Sequence, residues 1–518
     1  MAVIEDGGAM PRRRFLKQAL AGSIVAVSAA HGRSPSRAGA CITNIRLIDG
    51  TGAAARRAAV RIAGGRIVEI GATFAPRAGE AVHDGQGQVL APGFIDTHSH
   101  HDRGLPDAPD AAALLSQGVT TIVVGQDGSA ALPLRSLWGD LAKTGAAVNV
   151  ASYSGHNSLR AKVMGEDYRR AATTGEIERM KALLDADMRA GAIGLSSGLG
   201  YDPGIYSASD EVVALCKTIA PYGGRYISHI RSENVNLWAS IDELIRIGRE
   251  ARVPVQLSHA KLSMASLWGQ SRKLLDRLDA ARAQGIDATL DIYPYEYWQS
   301  TMTVMLPDRD FDDIEAARFA LRNFVVPERV IFNVYDADPT IVGKTLAALA
   351  AERGRDPAEL YLELIRTAVA ADKDESIIAA SMSEADIATM MRWPHANICS
   401  DGEMRGGHPR GAGSFSRILR KYVREDGVLT LEQAVHKMSG LAADHMGFRD
   451  RGRIRPGQAA DLVLFDPDIV RDHASIETPR ALSTGISRVW VNGEPVWHDA
   501  RATGALPGQT LLNRHPLG

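Results

Sequence analysis

The sequence predicts an α/β fold: a (β/α)8 barrel of the TIM type, with a small β-sandwich domain built from both termini and an insertion between the last two barrel strands. Three observations predict it. The middle of the chain holds eight apolar strands, each ending in polar residues and most followed by a helical pattern. Alternating strands and helices imply a parallel sheet, and eight such units favour closure into a barrel. Short alternating strands broken by glycine turns occupy both flanks of this series, and the gap between its seventh and eighth strands is too long for one barrel helix.

The flanking strands come first. Ile42 to Ile48, Ala59 to Ile62, Arg66 to Ile70 and Val89 to Ala91 alternate apolar and polar residues, and the texture returns at Asp461 to Phe465 and at Ser487 to Trp497 around the turn Asn492-Gly493. The barrel strands are Phe94 to His100, Val119 to Gly125, Ala147 to Ser154, Ala192 to Ser197, Arg225 to Ile230, Pro254 to His259, Ala288 to Tyr293 and Asn397 to Asp401. Ser300 to Pro394 holds a further strand, Arg329 to Val334, and helices such as Thr345 to Arg353. The expected organisation is a twin-arginine-type signal peptide over 1–38, the sandwich over 41–92 and 449–518, the metal-dependent barrel over 93–299 and 395–448, and the insertion with a barrel helix over 300–394.

The signal reading rests on Arg12-Arg13-Arg14-Phe15-Leu16-Lys17 followed by a mildly apolar, alanine-rich run from Gln18 to Ala30. A basic region, a short apolar region and small residues in that order make an export signal, and the run is too short for a permanent membrane span. A periplasmic or secreted protein is expected, with no stable membrane span. The 518 residues are 45% hydrophobic and 23% charged with a formal net charge of -2, so charge offers no reason to propose nucleic acid as a partner, and a small-molecule substrate is expected. Cys41, Cys216 and Cys399 are too few and too far apart for a disulfide framework or a Cys-x-x-Cys metal knuckle, and are expected to be reduced, buried thiols.

The strand ends carry the chemistry. In Gly93-Phe94-Ile95-Asp96-Thr97-His98-Ser99-His100 two histidines lie two residues apart at the end of an apolar run, so a strand points both the same way, towards one metal ion. A lone pair of this kind is weak, because a strand histidine is often a hydrogen-bonded core residue. Its company strengthens it: the other strand ends bring Gln126-Asp127-Gly128, Ser228-His229, Ser258-His259-Ala260-Lys261 and Ser400-Asp401-Gly402. Barrel closure gathers all of them at one mouth. Four histidines and two aspartates there suit one or two divalent ions with nitrogen and oxygen ligands of the kind zinc accepts.

These residues in this order resemble the amidohydrolase superfamily and, within it, the D-aminoacylase (N-acyl-D-amino-acid deacylase) family. The resemblance runs from about Ile42 to Val496. It includes Gly118-Val119-Thr120-Thr121, Gly155-His156-Asn157-Ser158-Leu159-Arg160, Gly194-Leu195-Ser196-Ser197-Gly198-Leu199, Asp291-Ile292-Tyr293-Pro294-Tyr295, His408-Pro409-Arg410 and Gly457-Gln458-Ala459-Ala460-Asp461-Leu462. It implies His98 and His100 as ligands of one metal position, His229 and His259 as ligands of the other, and Asp401 as a metal neighbour and catalytic proton carrier. It also implies Lys261, Tyr293 and Arg410 as residues that hold a substrate carboxylate. One residue departs from the pattern: Asp127 stands where D-aminoacylases usually carry a metal-binding cysteine. A carboxylate is harder than a thiolate, so zinc binding and occupancy turn on this position. No lysine follows strand four between Gly194 and Gly200, so the carbamylated-lysine bridge of hydantoinase-like relatives has no counterpart there, and Asp127 is the candidate for that role.

The expected activity is metal-dependent hydrolysis of a linear amide, N-acyl-D-amino acid to carboxylate plus D-amino acid. Two alternatives compete. A cyclic amide or other peptide-like bond at the same site would not need Arg410 if its substrate lacked a free carboxylate. A non-catalytic binding relative would have lost ligands, yet all four histidines and Asp401 are present.

Overall fold

The computed structural model describes residues 39–513, and the expected signal peptide lies outside them. Among them, Tyr297–Ala380 forms one compact unit and the remaining residues another.

The larger unit contains the barrel. Its strands are Phe94–Asp96, Val119–Val124, Asn149–Ser152 continuing into Ser154–Gly155, Gly194–Gly198, Arg225–His229, Val255–Leu257, Ala288–Ile292 and Ala396–Ile398. Every ladder between neighbours is parallel. The first and eighth strands close the ring through Thr97 Oγ1 to the Ile398 carbonyl at 3.3 Å and the Asp401 amide to the His98 carbonyl at 2.8 Å. Covered on both faces, the strands read as near-continuous apolar runs, and Val119–Val124 is buried at every position. The helix Leu237–Ala251 buries Leu237, Ile241, Leu244, Ile245 and Gly248 at three- and four-residue spacings. A Cβ on Gly248 would lie 2.7 Å from Val255 Cγ1, so this helix approaches the sixth strand more closely than a side chain allows.

Three strands stop two or more residues earlier than the sequence suggests. The first ends at Asp96 rather than His100, the sixth at Leu257 rather than His259, and the eighth at Ile398 rather than Asp401. The reason is backbone conformation: His259 and Asp401 have φ of 34° and 50°, which no strand accommodates, and the chain beyond His100 turns into a 3-10 helix, His101–Arg103. The polar tails are thus aimed by turns at the mouth, not by the pleat alone.

The accessory strands from both ends of the chain form one continuous nine-stranded sheet rather than two separate ones. Its seam is the antiparallel pair Val89–Pro92 and Leu462–Phe465. The expected turn joins Ile486–Val491 to Glu494–His498, with Asn492 at φ 50° and Gly493 at φ 82°, the left-handed pair that a two-residue hairpin requires. Ile42, Leu47, Val60, Ile62, Leu90, Leu462 and Trp490 form its core. The sheet is tied to the amino-terminal ends of the barrel strands by Asp461, whose carboxylate accepts from Asn149 Nδ2 at 3.0 Å and from the Asn492 amide at 2.7 Å, and pairs with buried Arg451. All three cysteines are free and buried.

The smaller unit is a three-stranded antiparallel sheet in the order Tyr297–Ser300, Glu375–Ala380, Val330–Tyr335, with the helices Ile314–Asn323, Leu346–Arg353 and Pro357–Ala370. Thr345 and Asp356 cap the last two by accepting from Ala348 N, and from Ala358 and Glu359 N. The helix Glu384–Arg392, which leads into the eighth strand, belongs to the larger unit.

Candidate metal centre

The site begins with a carboxylate that the sequence reading passed over. Asp96, the last residue of the first strand, accepts from the Ser400 amide at 2.8 Å and from Ser400 Oγ at 2.5 Å. These bonds set the end of the first strand against the end of the eighth, so His98, His100 and Asp401 fall beside one another. Burial pushes the Asp96 carboxyl up to about 7.

The donors of His98, His100, Asp127 and Asp401 all lie within 4.8 Å of one another, and Asp127, His229 and His259 form a second such group. Asp127 belongs to both. His98 Nε2 is 3.5 Å from both Asp127 Oδ1 and Asp401 Oδ1, and His100 Nε2 is 3.4 Å from Asp127 Oδ2 and from Asp401 Oδ1. Two ligands about 2.1 Å from a tetrahedral zinc ion stand roughly 3.4 Å apart, so this spacing fits ligands around one ion. In the second group His259 Nε2 is 3.2 Å from Asp127 Oδ1 and 3.1 Å from His229 Nδ1.

Two further observations fit a cation. Both ring nitrogens of His98 are buried without a hydrogen-bond partner, a costly state unless a metal takes one of them. The carboxylates also draw protons onto the imidazoles. Burial opposes it, but Asp127 and Asp401 raise His100 to about 9, and His259 rises to about 10 against burial and Lys261 through Asp127, Asp401 and Glu233. Burial instead pushes His229 down to about 4. Asp127 and Asp401 are held below the usual carboxylate range despite burial, Asp127 by His259 and His98 and Asp401 by Arg410 and His259. A divalent cation is the group that would satisfy these carboxylates and leave the ring nitrogens bare.

Strained backbone holds the set. Asp127, His259 and Asp401 have φ of 51°, 34° and 50°, a region that costs a non-glycine residue about 1–3 kcal/mol. The Asp127 turn is braced by Ser196, whose Oγ donates to the Gly125 carbonyl at 2.6 Å and accepts from the Gly128 amide at 3.1 Å. The Gly155–Arg160 motif supplies a second brace. Asn157 exchanges hydrogen bonds with the Gly198 backbone at 3.0 and 3.2 Å, and a Cβ on Gly198 would stand 2.3 Å from the Asp127 carbonyl oxygen. His156 and Arg160, both buried, lie on the helix His156–Met164 and anchor it on Glu211. Asp291 holds the His259 turn, accepting from its amide at 2.5 Å and from Gln256 Nε2 at 2.6 Å.

Lys261, Tyr293 and Arg410 lie together beside the two groups. Lys261 and Arg410 are 4% and 6% exposed, which rules out solvated surface charges. The Lys261 Nζ and Arg410 Cζ atoms are 5.5 and 4.9 Å from the Tyr293 ring centroid. Arg410 opens the helix Arg410–Arg417, and its Nη1 donates to Asp401 Oδ2 at 2.5 Å. Lys261 Nζ contacts Glu233 Oε1 at 3.0 Å and His259 Nδ1 at 2.6 Å. Burial pushes the Glu233 carboxyl up, but Lys261, His229 and His259 outweigh it and bring it to about 2. Glu233 also escaped the sequence reading; its position four residues beyond His229 was the available signal.

A closed parallel barrel with histidines and aspartates converging at its carboxyl mouth defines the class of metal-centred hydrolytic barrels. The chain belongs to the amidohydrolase family, whose sequence model matches residues 81–497, in the group that contains the D-aminoacylases. It is 36% identical over 504 residues to an N-acyl-D-aspartate deacylase of Alcaligenes xylosoxydans xylosoxydans, covering 92% of this chain and 96% of that one. The crystal structure of a D-aminoacylase described as defining a novel subset of amidohydrolases superposes with a TM-score of 0.82 at 35% identity, covering 92% of this chain and 99% of that one. An N-acyl-D-glutamate deacylase from Bordetella bronchiseptica, complexed with zinc and a phosphonate mimic of the tetrahedral intermediate, superposes with a TM-score of 0.81 at 35% identity, covering 91% and 99%.

Proposed function

We propose that the protein is a zinc-dependent deacylase of N-acyl-D-amino acids, releasing a carboxylate and a D-amino acid. The observation that carries this reading is the juxtaposition of the two ligand groups sharing Asp127 with the buried cations Lys261 and Arg410 around Tyr293. The deacylase relatives, one of them with zinc and a tetrahedral mimic, support the bond and the metal.

His98 and His100 would hold one position and His229 and His259 the other, with Asp127 between them. When bound there, zinc would supply a Lewis acid able to bring the pKa of water towards ~7 and polarise the scissile carbonyl. Asp401 Oδ1, beside His98 and His100, takes the proton of the attacking water and returns it to the leaving nitrogen. The guanidinium of Arg410 has five N–H donors, so its bond to Asp401 leaves others for a substrate carboxylate, which Lys261 and the Tyr293 hydroxyl also meet.

The test pairs two variants. Asp401→Asn is expected to retain zinc and lose turnover, and full activity would refute the proton role. Wild type is expected to prefer an N-acyl-D-amino acid over its methyl ester, and Arg410→Ala to erase that preference; equal wild-type rates on acid and ester would refute the carboxylate clamp. The twin-arginine motif further supports export to the periplasm or beyond. Replacing Arg12 and Arg13 by lysine is expected to retain the protein in the cytoplasm, and unchanged fractionation would refute that route.

A further inference from the structure

We propose that Glu233 is a positioning residue of the metal centre, orienting His259 through its Nδ1 nitrogen and keeping Lys261 from blocking that orientation. The inference rests on the reading of His259 as a ligand but not on the identity of the substrate.

Glu233 lies in the loop after the fifth barrel strand, with its side chain 13% exposed. Its Oε1 is 3.1 Å from His259 Nδ1 and 3.0 Å from Lys261 Nζ. Its carbonyl accepts from the Ser263 amide at 2.9 Å, which fastens the loop to the segment carrying His259 and Lys261. The carboxylate is therefore held against that segment by side chain and backbone together.

A neutral imidazole has one bare nitrogen and one N–H. The His259 nitrogen that faces Asp127 and His229 is Nε2, so a metal there requires Nε2 bare and the hydrogen on Nδ1. That hydrogen needs an acceptor. Lys261, 2.6 Å from Nδ1, carries an ammonium that only donates, so by itself it would demand a bare Nδ1 and drive the hydrogen onto Nε2, the form that cannot ligate through that atom. Glu233 offers the missing acceptor: its Oε1 stands 3.1 Å from Nδ1 and 3.0 Å from Nζ, so with the hydrogen on Nδ1 the carboxylate can take it and draw the ammonium off the ring nitrogen. A carboxylate behind a metal-bound histidine fixes its tautomer and ring orientation in the same manner.

The experiment is zinc titration of the full chain against a chromogenic chelator. Glu233→Ala is expected to lose about 10–100-fold in zinc affinity, as removal of such a partner does. Glu233→Gln still offers an oxygen to Nδ1–H and is expected to stay within about threefold of wild type on the same scale. Both variants should remain folded after metal removal, with lowered melting temperatures because buried Lys261 loses its ion-pair partner. Wild-type affinity in the alanine variant overturns the inference, and so does an equal loss in the alanine and glutamine variants, which would make charge rather than the orienting bond responsible. Should the alanine variant not fold, Glu233→Asp draws the carboxylate back by one methylene and is expected to lose about tenfold, with wild-type affinity again overturning the inference. A wild-type chain that binds no zinc fails the metal reading itself and takes this inference with it, whereas zinc binding without deacylase activity fails the proposed function and leaves the Glu233 result decisive.

Discussion

Arg410 Nη1 and Asp401 Oδ2 stand 2.5 Å apart, both side chains buried, while the other oxygen of Asp401 faces His98 and His100. One carboxylate thus joins the metal group to the cation expected to meet the substrate. Truncating one partner of a buried pair leaves an uncompensated charge and costs about 3–5 kcal/mol. Arg410→Ala is therefore expected to lower the unfolding free energy of chelator-treated protein by about that amount, and zinc should narrow the gap because it supplies positive charge at the other oxygen. Groups in direct contact couple, so Arg410→Ala with Asp401→Asn should lose less than the sum of the single variants. Additive losses in denaturant titrations would show that the pair is not an energetic unit.

Asp127 is the residue common to both ligand groups, so its removal should weaken zinc at both positions. Asp127→Ala is expected to lower zinc affinity by at least about tenfold, the lower end of what even an outer-shell loss costs. Asp127→Cys is expected to bind zinc more tightly than wild type, since a thiolate is the softer ligand. Elemental analysis and chelator competition read both. Unaltered zinc in the alanine variant would remove Asp127 from the centre.

The contrast between Asp127 and Glu233 shows what was legible in the sequence. Ligand candidates sit at the ends of apolar strands, where a polar residue stands out against a run buried on both faces, as after Val119–Val124. Asn492-Gly493 was legible for a similar reason, since few residue pairs accept left-handed conformations. Supporting carboxylates carry no such contrast. Glu233 lies in a polar loop, Asp96 sits inside the strand motif, and their roles depend on partners 28 and 304 positions away, Lys261 and Ser400. Arg410 opens a helix although Gly411 and Gly413 lower helix propensity, because the glycines pack closely there: a Cβ on Gly413 would meet the Tyr295 hydroxyl at 2.5 Å. That both ends of the chain build one accessory domain was legible in their shared alternating texture, but the seam itself, Val89–Pro92 against Leu462–Phe465, was not, because the pairing joins segments far apart in the sequence.

Lys437 provides a test of burial away from the metal centre. It lies on the helix Leu431–Met438, is 5% exposed, and donates to the carbonyls of Trp393 at 2.6 Å and Ala396 at 3.3 Å. Among the described residues no carboxylate pairs with it, and burial pushes its pKa from 10.5 down to about 8. The sign follows from proton counting. Well above pH 10.5 the amine is neutral in both states. As pH falls, the unfolded chain takes its proton near 10.5 and the folded protein only near 8, so stability declines across that window and levels off below it. The size of the decline is roughly 3 kcal/mol. Lys437→Met cannot titrate. Its unmet carbonyls impose a pH-independent cost, so the variant's stability relative to wild type is expected to fall by roughly 3 kcal/mol as pH is raised from about 7.5 to about 10.5. Urea unfolding at the two pH values measures it. Parallel pH profiles for wild type and variant would mean that Lys437 keeps an ordinary pKa in the fold, and that carbonyl oxygens alone suffice to hold a buried ammonium.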